Sequence, residues 1–431
     1  MNRREAAEYT LKALKKAGAQ TASCRVTDGY TEELNSEAGE FSLYRTLFDS
    51  SLSMYAVKDG KKGTANLNSL EKKDIDEAAA GCVAAAEAAE PDDANDTAEL
   101  IENKRFTDGV LEADKNALFD GVKGYMAELK DKYPKINLEQ FIAKYKKSDT
   151  VFLNSKGVDF EWARGNYNYN SMFSGHDGDK STSFNGYSAD FTDPRQNFMD
   201  IGNNRMVIED TLKQFDPQPI DGKFVGPVIL SPECAEELLF YALMIFAGEA
   251  NLINGTSIWK DKLNTVTSHS SLNIASNPRD SRIVCGERIT GDGFEAKDTD
   301  IIKDGVLKSF ILSLYGSKKT GNPRSANQSF NLIAAPGNKS LSEIIAGVDR
   351  GLLINRFSGG VPSANGDFSG VAKNSFAIKG GKMAGPINET MISGNLEKLL
   401  QSVVAISKET AANGSCVLPW LALDGVTISG K

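Results

Sequence analysis

From Gly359 to Ile406 the chain reads GGVPSANGDFSGVAKNSFAIKGGKMAGPINETMISGNLEKLLQSVVAI. No other run carries so many instructions to the backbone. Gly366 to Phe368 and Ser369-Gly370 read as a turn entering a strand. Gly380-Gly381, between Lys379 and Lys382, signals a two-residue hairpin, because only glycine takes positive φ at both positions without strain. A returning strand is expected from Met383 to Met391, with Pro386 at an edge or bulge. Asn395 then caps a helix whose Leu396, Leu399, Leu400, Val403 and Val404 share one face. A glycine-rich hairpin docked by an amphipathic helix suggests a groove or channel wall, and by itself names no chemistry.

The remaining chain divides into three units. The 431 residues are enough for two or three domains. A helix over 4–17, strands at Ala22–Thr27, Tyr30–Asn35 and Phe41–Phe48, a hairpin at Asp59-Gly60 and an alanine-rich helix over Leu70–Ala89 capped by Ser69 make an α+β unit over 1–95. PDDANDT at 91–97 has the composition of an exposed linker. A second α+β unit over 106–215 has a helix ending at Lys132, strands at Leu138–Tyr145, Val151–Leu153 and Phe160–Met172, a polar, aromatic stretch to Phe191, and a helix over Gln196–Phe215. The third, over 223–431, opens with a buried strand at Val225–Leu230 and an apolar helix at Glu233–Phe246. It continues with a hairpin at Asp304-Gly305, a mobile basic loop at 316–327, a short helix at 340–347 and a terminal strand pair. The fold class is therefore α+β: an N-terminal α/β-layered region, then a β-rich, barrel-like C-terminal domain with peripheral helices.

Composition removes several function classes. A net charge of −9 argues against a nucleic-acid binder, which needs a basic face to release counterions. The first residues carry charge without an apolar core, so no secretory signal is expected. The longest apolar run, Leu238 to Ala247, falls short of the roughly 20 residues that span a bilayer. A cytoplasmic location follows as the default. Five cysteines, widely spaced and without C-x-x-C, fit reduced thiols. Only two histidines are present, His176 and His269, which removes most metal and general-base schemes.

Single candidates have plain alternatives. Glu233, Glu236 and Glu237 could ligate a metal, but carboxylates also suit the positive end of a helix dipole. Cys234 reads as a buried helix thiol, and Cys285 as a strand cysteine facing the core. His269 sits between Ser268 and Ser270, whose alternation across a strand denies a nucleophile–base pair. His176 with Asp177 and Asp179 reads as a turn. DGDKST and NGDFSG lack the spacing of a phosphate loop. Lys318, Lys319 and Arg324 read as a solvated loop.

Taken in order, the motifs resemble the TldD/PmbA family. The run NGDFSG, FAIKGGKMAGPI and ETMISGNLEKLLQSVVAI carries the resemblance, with Leu418-Pro419 and Ile428-Ser429-Gly430 at the end. AGA at 17–19, SMYAVKDGKKGTANL and SFNLIAAPGNKSLSEII agree with it. One branch of the family is a zinc metalloprotease with a His-Glu-x-x-x-His helix and a distant cysteine ligand; its imidazoles bind zinc and its glutamate activates water. The other branch, PmbA or TldE, lacks that helix and acts as the partner subunit. Here the corresponding helix is Ser231 to Glu237. Pro232 and Glu237 stand where histidines would be, and only Glu233 keeps its type.

The resemblance therefore implies a non-catalytic partner subunit of a TldD-like zinc metalloprotease complex, which helps bind and process unfolded peptides and antitoxin-like proteins. No catalytic or metal residue is expected in this chain, and no cofactor; zinc is expected in the TldD-like partner of a heterodimer. Self-pairing of the isolated chain as a homodimer stays open. No direct contact with nucleic acid or membrane is expected, so the family label "modulator of DNA gyrase" would describe an indirect effect of proteolysis. Asn365, Gly366, Asp367, Phe368, Ser369, Gly370, Gly380 and Gly381 are expected to shape a channel or a subunit contact. Two other readings stand: a peptide hydrolase in its own right, using carboxylates near Glu233 or near Asp177 and Asp179, and a stand-alone peptide-binding scaffold.

Overall fold

The computed structural model describes residues 1–99 and 101–430. The first half is built from α1 (Arg3–Lys16), β1 (Thr21–Glu37), β2 (Glu40–Lys58), β3 (Lys61–Leu67), α2 (Lys72–Ala88), β4 (Glu102–Gly109), α3 (Lys115–Lys132), β5 (Ile136–Asn154), β6 (Val158–Asp177), β7 (Lys180–Ser181), β8 (Asn185–Phe191) and α4 (Asn204–Leu212). The strands form one sheet in the order β3-β2-β1-β5-β6-β4, with β7 and β8 on β6. Residues 1–95 and 106–215 thus share a sheet, since β1 pairs antiparallel with β5 from Ser23 to Glu37.

Period-two spacing sorts the strand residues between two faces. Cys24, Val26, Leu52, Met54, Val151 and Leu153 pack under α1 and α2. Leu34, Phe141, Tyr145, Tyr167, Tyr169 and Phe173 pack with α3 and α4. Both sets fall on the same face, so two helical layers lie side by side along very long strands. The opposite face meets the second half of the chain. There Arg25 donates to the Thr290 carbonyl at 2.9 Å, Lys104 pairs with Glu295 at 2.6 Å, and Arg288 Nε donates to Asp108 at 2.8 Å.

Two buried carboxylates sit mid-sheet on β1. Glu32 is 1% exposed and accepts hydrogen bonds from Lys115, Tyr30, Tyr44 and, at 3.0 Å, Thr46. Glu33 is 2% exposed and pairs with Arg45 at 2.8 Å and Lys144 at 2.9 Å.

The second half comprises β9 (Lys223–Leu230), α5 (Pro232–Phe246), α6 (Glu249–Ile253), β10 (Ile274–Ser276), β11 (Thr299–Lys303), β12 (Val306–Leu307), α7 (Leu314–Thr320), β13 (Leu332–Ala334), α8 (Leu341–Ala346), β14 (Arg350–Ile354), β15 (Arg356–Gly359), β16 (Asp367–Lys373), β17 (Phe376–Lys379), β18 (Lys382–Pro386), β19 (Thr390–Asn395), α9 (Leu396–Gln401), β20 (Val403–Ala412) and β21 (Val417–Ser429). Its thirteen strands form a branched sheet. The hub is β21, which pairs with β9, β13, β19 and β20. Helix α5 is apolar around most of its circumference, as a helix enclosed by protein must be. Leu238, Leu239, Leu243 and Phe246 share one core with residues of β9, β13, β15, β16, β19 and β21. The mixed α+β fold with a curled, strand-rich C-terminal domain agrees with the expectation. Among the described residues no helix is long and apolar enough to cross a membrane.

Several local expectations are corrected. The strands expected at Ala22–Thr27 and Tyr30–Asn35 are one strand, as are those at Leu138–Tyr145 and Val151–Leu153. Ser69 is not the cap of α2; the helix starts at Lys72, and the Ser69 hydroxyl accepts from the Glu71 amide instead. The helix expected over Gln196–Phe215 is a single 3-10 turn at Phe198–Asp200 followed by the shorter α4. Val403 and Val404 belong to β20, because α9 stops at Gln401 and β21 supplies a pairing edge. The returning strand is broken into β18 and β19.

The 91–97 segment is not an exposed linker. Ala94, Asn95, Thr97 and the following Ala98 are buried. Asp92 accepts from Tyr315 at 3.0 Å and pairs with Lys319 at 3.1 Å, while Asp96 pairs with Lys156 at 2.6 Å and Lys318 at 2.8 Å. Burial pushes the Asp96 carboxyl up, but these lysines outweigh it and hold its pKa down to about 2. The supposed mobile basic loop is the other half of this contact. Its first five residues fold as the end of α7, and Arg324 pairs with Asp292 at 2.7 Å.

Candidate site at the start of helix α5

The chain turns from β9 into α5 at Ser231. Its amide is held by the Ile354 carbonyl at 2.9 Å, and its hydroxyl accepts from the Cys234 amide at 3.3 Å. Pro232 occupies the first helical turn, where its missing N–H costs nothing. From this capped start the helix brings Glu233 and Glu236 to the junction with the N-terminal sheet, beside Tyr187.

Their environment is not the solvated helix end expected from sequence. Asn203 donates to Glu233 at 3.3 Å, and the Asn203 amide in turn donates to the Tyr187 hydroxyl at 2.8 Å. Asn413 donates to Glu236 at 3.0 Å, its own carbonyl oxygen being held by Ser415 and the Cys416 amide. Burial raises the pKa of Glu233, Glu236 and Glu237; amide and hydroxyl donors oppose it only in part, and Arg356 alone offsets it at Glu237. Glu233 and Asn203 also line a cleft of about 360 Å³ with Asn170, Asn355 and Arg356.

Sequence reasoning missed Cys416, which shares a small void with Glu233 and Glu236. The spacing of about 180 residues to α5 left no local signal; only the pairing of β21 with β9 brings it there. Its thiol donates to the Phe330 carbonyl at 3.5 Å, and burial beside Glu236 pushes its pKa up to about 12. Cys285 is not a strand cysteine facing the core. It lies in a loop, its amide bound by the Gly414 carbonyl, where Asn166 approaches its sulfur at 3.6 Å and burial, with Asp190 beside it, raises its pKa to about 12. Cys234 is buried, as expected.

The zinc implied for the His-Glu-x-x-x-His branch does not fit these residues. Pro232 offers no donor atom, burial disfavours the ionised form of the three carboxyls, and the Cys416 thiol is a hydrogen-bond donor. Zinc sites use imidazole and thiolate, and among the described residues no group of three or more His, Cys, Asp or Glu is placed to hold a metal. His176 instead meets Ser174 at 3.0 Å, and Asp177 pairs with Lys135. His269 hydrogen-bonds Ser271 at 2.8 Å, rather than Ser268 or Ser270.

The glycine-rich arm lies apart from this cleft. Asp367 accepts from Asn365 and Asn395, each at 2.9 Å, tying the turn to the start of α9. Gly366 has φ +89°, and a Cβ there would sit 2.6 Å from the Phe246 ring at the end of α5. Phe368 packs edge-on against Phe357, whose ring also leaves no room for a side chain at Gly370. Ser369 is exposed. Gly380 and Gly381 make the expected turn, and their amides are held by the Asp349 and Val348 carbonyls just after α8.

Comparison with known proteins agrees with this architecture. The family description "PmbA/TldA metallopeptidase C-terminal domain" matches residues 222–430, and "PmbA/TldA metallopeptidase domain 1" matches residues 22–89. The metalloprotease PmbA of Escherichia coli O157:H7 is 26% identical over 50% of this chain and 49% of its own length. The zinc metalloprotease TldD homolog of Saccharolobus solfataricus is 27% identical over 44% of this chain and 46% of its own. The chain thus spans about half the length of these two relatives, whereas a PmbA homolog of Haemophilus influenzae is 22% identical over 99% and 96%. In structure, TldE from Thermococcus kodakarensis superposes with a TM-score of 0.82 at 19% identity, covering 99% of this chain and 100% of that one. A Bacteroides thetaiotaomicron protein described as a modulator of DNA gyrase gives 0.84 at 21%, covering 99% of each. At these identities the structural likeness speaks to fold. With the family descriptions covering most of its length, the chain belongs to the metallopeptidase-related PmbA/TldD family.

Proposed function

We propose that this chain is the non-catalytic partner subunit of a TldD-like zinc metalloprotease, and that it helps bind and present unfolded peptides in the cytoplasm. The observation that carries the reading is the chemistry at the start of α5. Proline and carboxyls whose pKa burial raises stand at the family's zinc-helix position, so these residues do not supply the imidazole pair that binds zinc in the other branch. What it retains suits peptide handling. Asn170, Asn203, Asn355 and Arg356 edge the cleft beside Glu233, and amide side chains can donate to and accept from an extended backbone irrespective of sequence. In this reading zinc and the hydrolytic step belong to the partner, and the arm from Asn365 to Gly381 is a subunit contact or channel wall.

Co-expression with a TldD-like protein from the same genome tests this. The two should co-purify as a heterodimer, and peptide cleavage should require both chains and be abolished by chelator. Cleavage by this chain alone, sensitive to chelator, would favour a hydrolase in its own right. Absence of association would leave a peptide-binding scaffold.

A further inference from the structure

The face of the N-terminal sheet that meets the second half carries an open polar stretch. On β6 the run Asn166-Tyr167-Asn168-Tyr169-Asn170 alternates strictly. Tyr167 and Tyr169 are buried on the side of α3 and α4, so the three asparagines, and Arg164 before them, look the other way. Across the strand pair Ser148, Lys146 and Lys144 lie opposite Arg164, Asn166 and Asn168. Beyond them Glu33 lies opposite Lys144, and Arg45 opposite Glu33. Arg45, Lys144, Lys146 and Arg164 thus share one stretch of a chain whose net charge is −9. The carboxyls of this face do not cancel them. Glu33 is held between Arg45 and Lys144, Asp49 stands at the rim over Gly29, and burial disfavours the ionised form of Asp190.

Lys146 and Arg164 have no carboxylate partner among the described residues. Lys146 is exposed. Arg164 is half-buried, its guanidinium 4.1 Å from the centre of the Trp162 ring. Of the N–H donors an arginine carries, one on Nη2 meets the Gly286 carbonyl, and the buried Nε–H meets nothing. Lys146 and Arg164 are diagonal neighbours on β5 and β6, a spacing that long side chains bridge. Against the larger effect of burial, both cations lower the pKa of Asp190 and of Cys285, so their head groups converge at this end of the asparagine run. A desolvated guanidinium short of partners gains from an incoming anion. We propose that Lys146 and Arg164 form a subsite for a carboxylate, supplied by an aspartate or glutamate side chain of the extended peptide this chain handles. The inference rests on the peptide-binding reading above and adds to it the side chain selected. The asparagines set the path. Asn170 is exposed and edges the cleft beside Glu233. Arg164 lies six residues before it on the same strand, about 20 Å away. An extended peptide spans that distance in about six residues, so the acidic residue falls that far from the one seated in the cleft.

Fluorescence anisotropy of labelled peptides on the full chain tests this. Three short unstructured peptides differ at a single position, which holds Glu, Gln or Lys. The Glu peptide should bind about 10-fold tighter than the Gln peptide. The Lys peptide should bind more weakly than either, and the spread should narrow as salt is raised. Lys146→Glu should reverse the order. Lys130→Gln, which removes a like charge from the exposed side of α3, should leave it unchanged. Arg164→Gln, with its fold confirmed by circular dichroism, should keep the Gln peptide and lose the preference for Glu; the exposed Lys146 decides the matter where that variant does not fold. Equal binding of the Glu and Gln peptides, or an order indifferent to Lys146→Glu, would overturn the subsite and leave the peptide reading standing. Failure of all three peptides to bind would overturn both. Tighter binding of a thymidine oligonucleotide than of the Glu peptide would overturn the subsite in favour of nucleic acid.

Discussion

Glu32 and Glu33 on β1 and Glu233 and Glu236 on α5 are two pairs of desolvated carboxyls with opposite fates. Burial raises the pKa of all four. On β1 it is outweighed: Lys115, with Tyr44 and Thr46, draws Glu32 below the ordinary carboxylate range, and Lys144 and Arg45 do the same for Glu33. On α5 it prevails, because the donors are amides and hydroxyls without charge. Between these two pairs depth does not set the direction of the shift; a cation in direct contact with the carboxylate does. The β1 pair belongs to the framework of the sheet. The α5 pair stores a proton-binding tendency where the chain turns from β9 into the helix.

The largest effect expected from this contrast is on Lys115. Lys115→Met strands Glu32 in the sheet without its cation and should lower stability in urea unfolding at pH 7, by less than the loss of a fully enclosed pair because Lys115 is half exposed. Since the folded pKa of Glu32 lies below its ordinary value near 4.5, the contribution is present above that value and lost as pH falls through the folded one. The penalty of the variant should therefore shrink on acidification; a penalty equal at pH 7 and pH 3.5 would break the comparison.

The α5 pair should respond with the opposite sign. Its folded pKa values lie above 4.5, so ionisation opposes folding increasingly as pH rises beyond that point. Replacing both by glutamine should stabilise the protein by about 1–2 kcal/mol at pH 8 and by nothing near pH 4. A loss at pH 8 would mean that the carboxylates are ionised and held by charges from another source.

Asp96 sharpens the rule with a carboxyl that ties the two halves together. It behaves as the β1 pair does, held near 2 by Lys156 and Lys318. Asp96→Asn should cost about 1 kcal/mol at pH 7, and the difference from the unaltered protein should vanish between about pH 4 and pH 2. Thermal unfolding across that range measures it.

What was legible in the sequence was what is decided locally. Asp59-Gly60, Asp304-Gly305 and Gly380-Gly381 form turns because their own backbone angles require it. The place of Glu233 in the first turn of α5 was equally plain, whereas Glu236 and Glu237 fall in the next turn. What was hidden depends on distant partners. Asp28-Gly29 reads as a break, yet Gly29 sits mid-strand because Asp49 and Ser148 pair on either side. PDDANDT has linker composition, and only Tyr315 and Lys319, more than 200 residues away, make it a fastening. Val403 and Val404 keep helical spacing, and β21 claims them for a sheet. At the site, Asn203 and the pair Asn413 and Cys416 reach α5 from two other segments, so no motif could gather them.

The place of β21 has a consequence for how the chain comes off the ribosome. It is the hub of the C-terminal sheet, yet it follows β9 by roughly 190 residues, or about 10–40 s of synthesis at ordinary speeds. Through that interval β9 and the apolar helix α5 lack the strand that flanks them, and their side chains must be shielded by temporary neighbours. The N-terminal sheet, whose β1–β5 pairing is complete once residue 154 has emerged, is available to serve as the first of these.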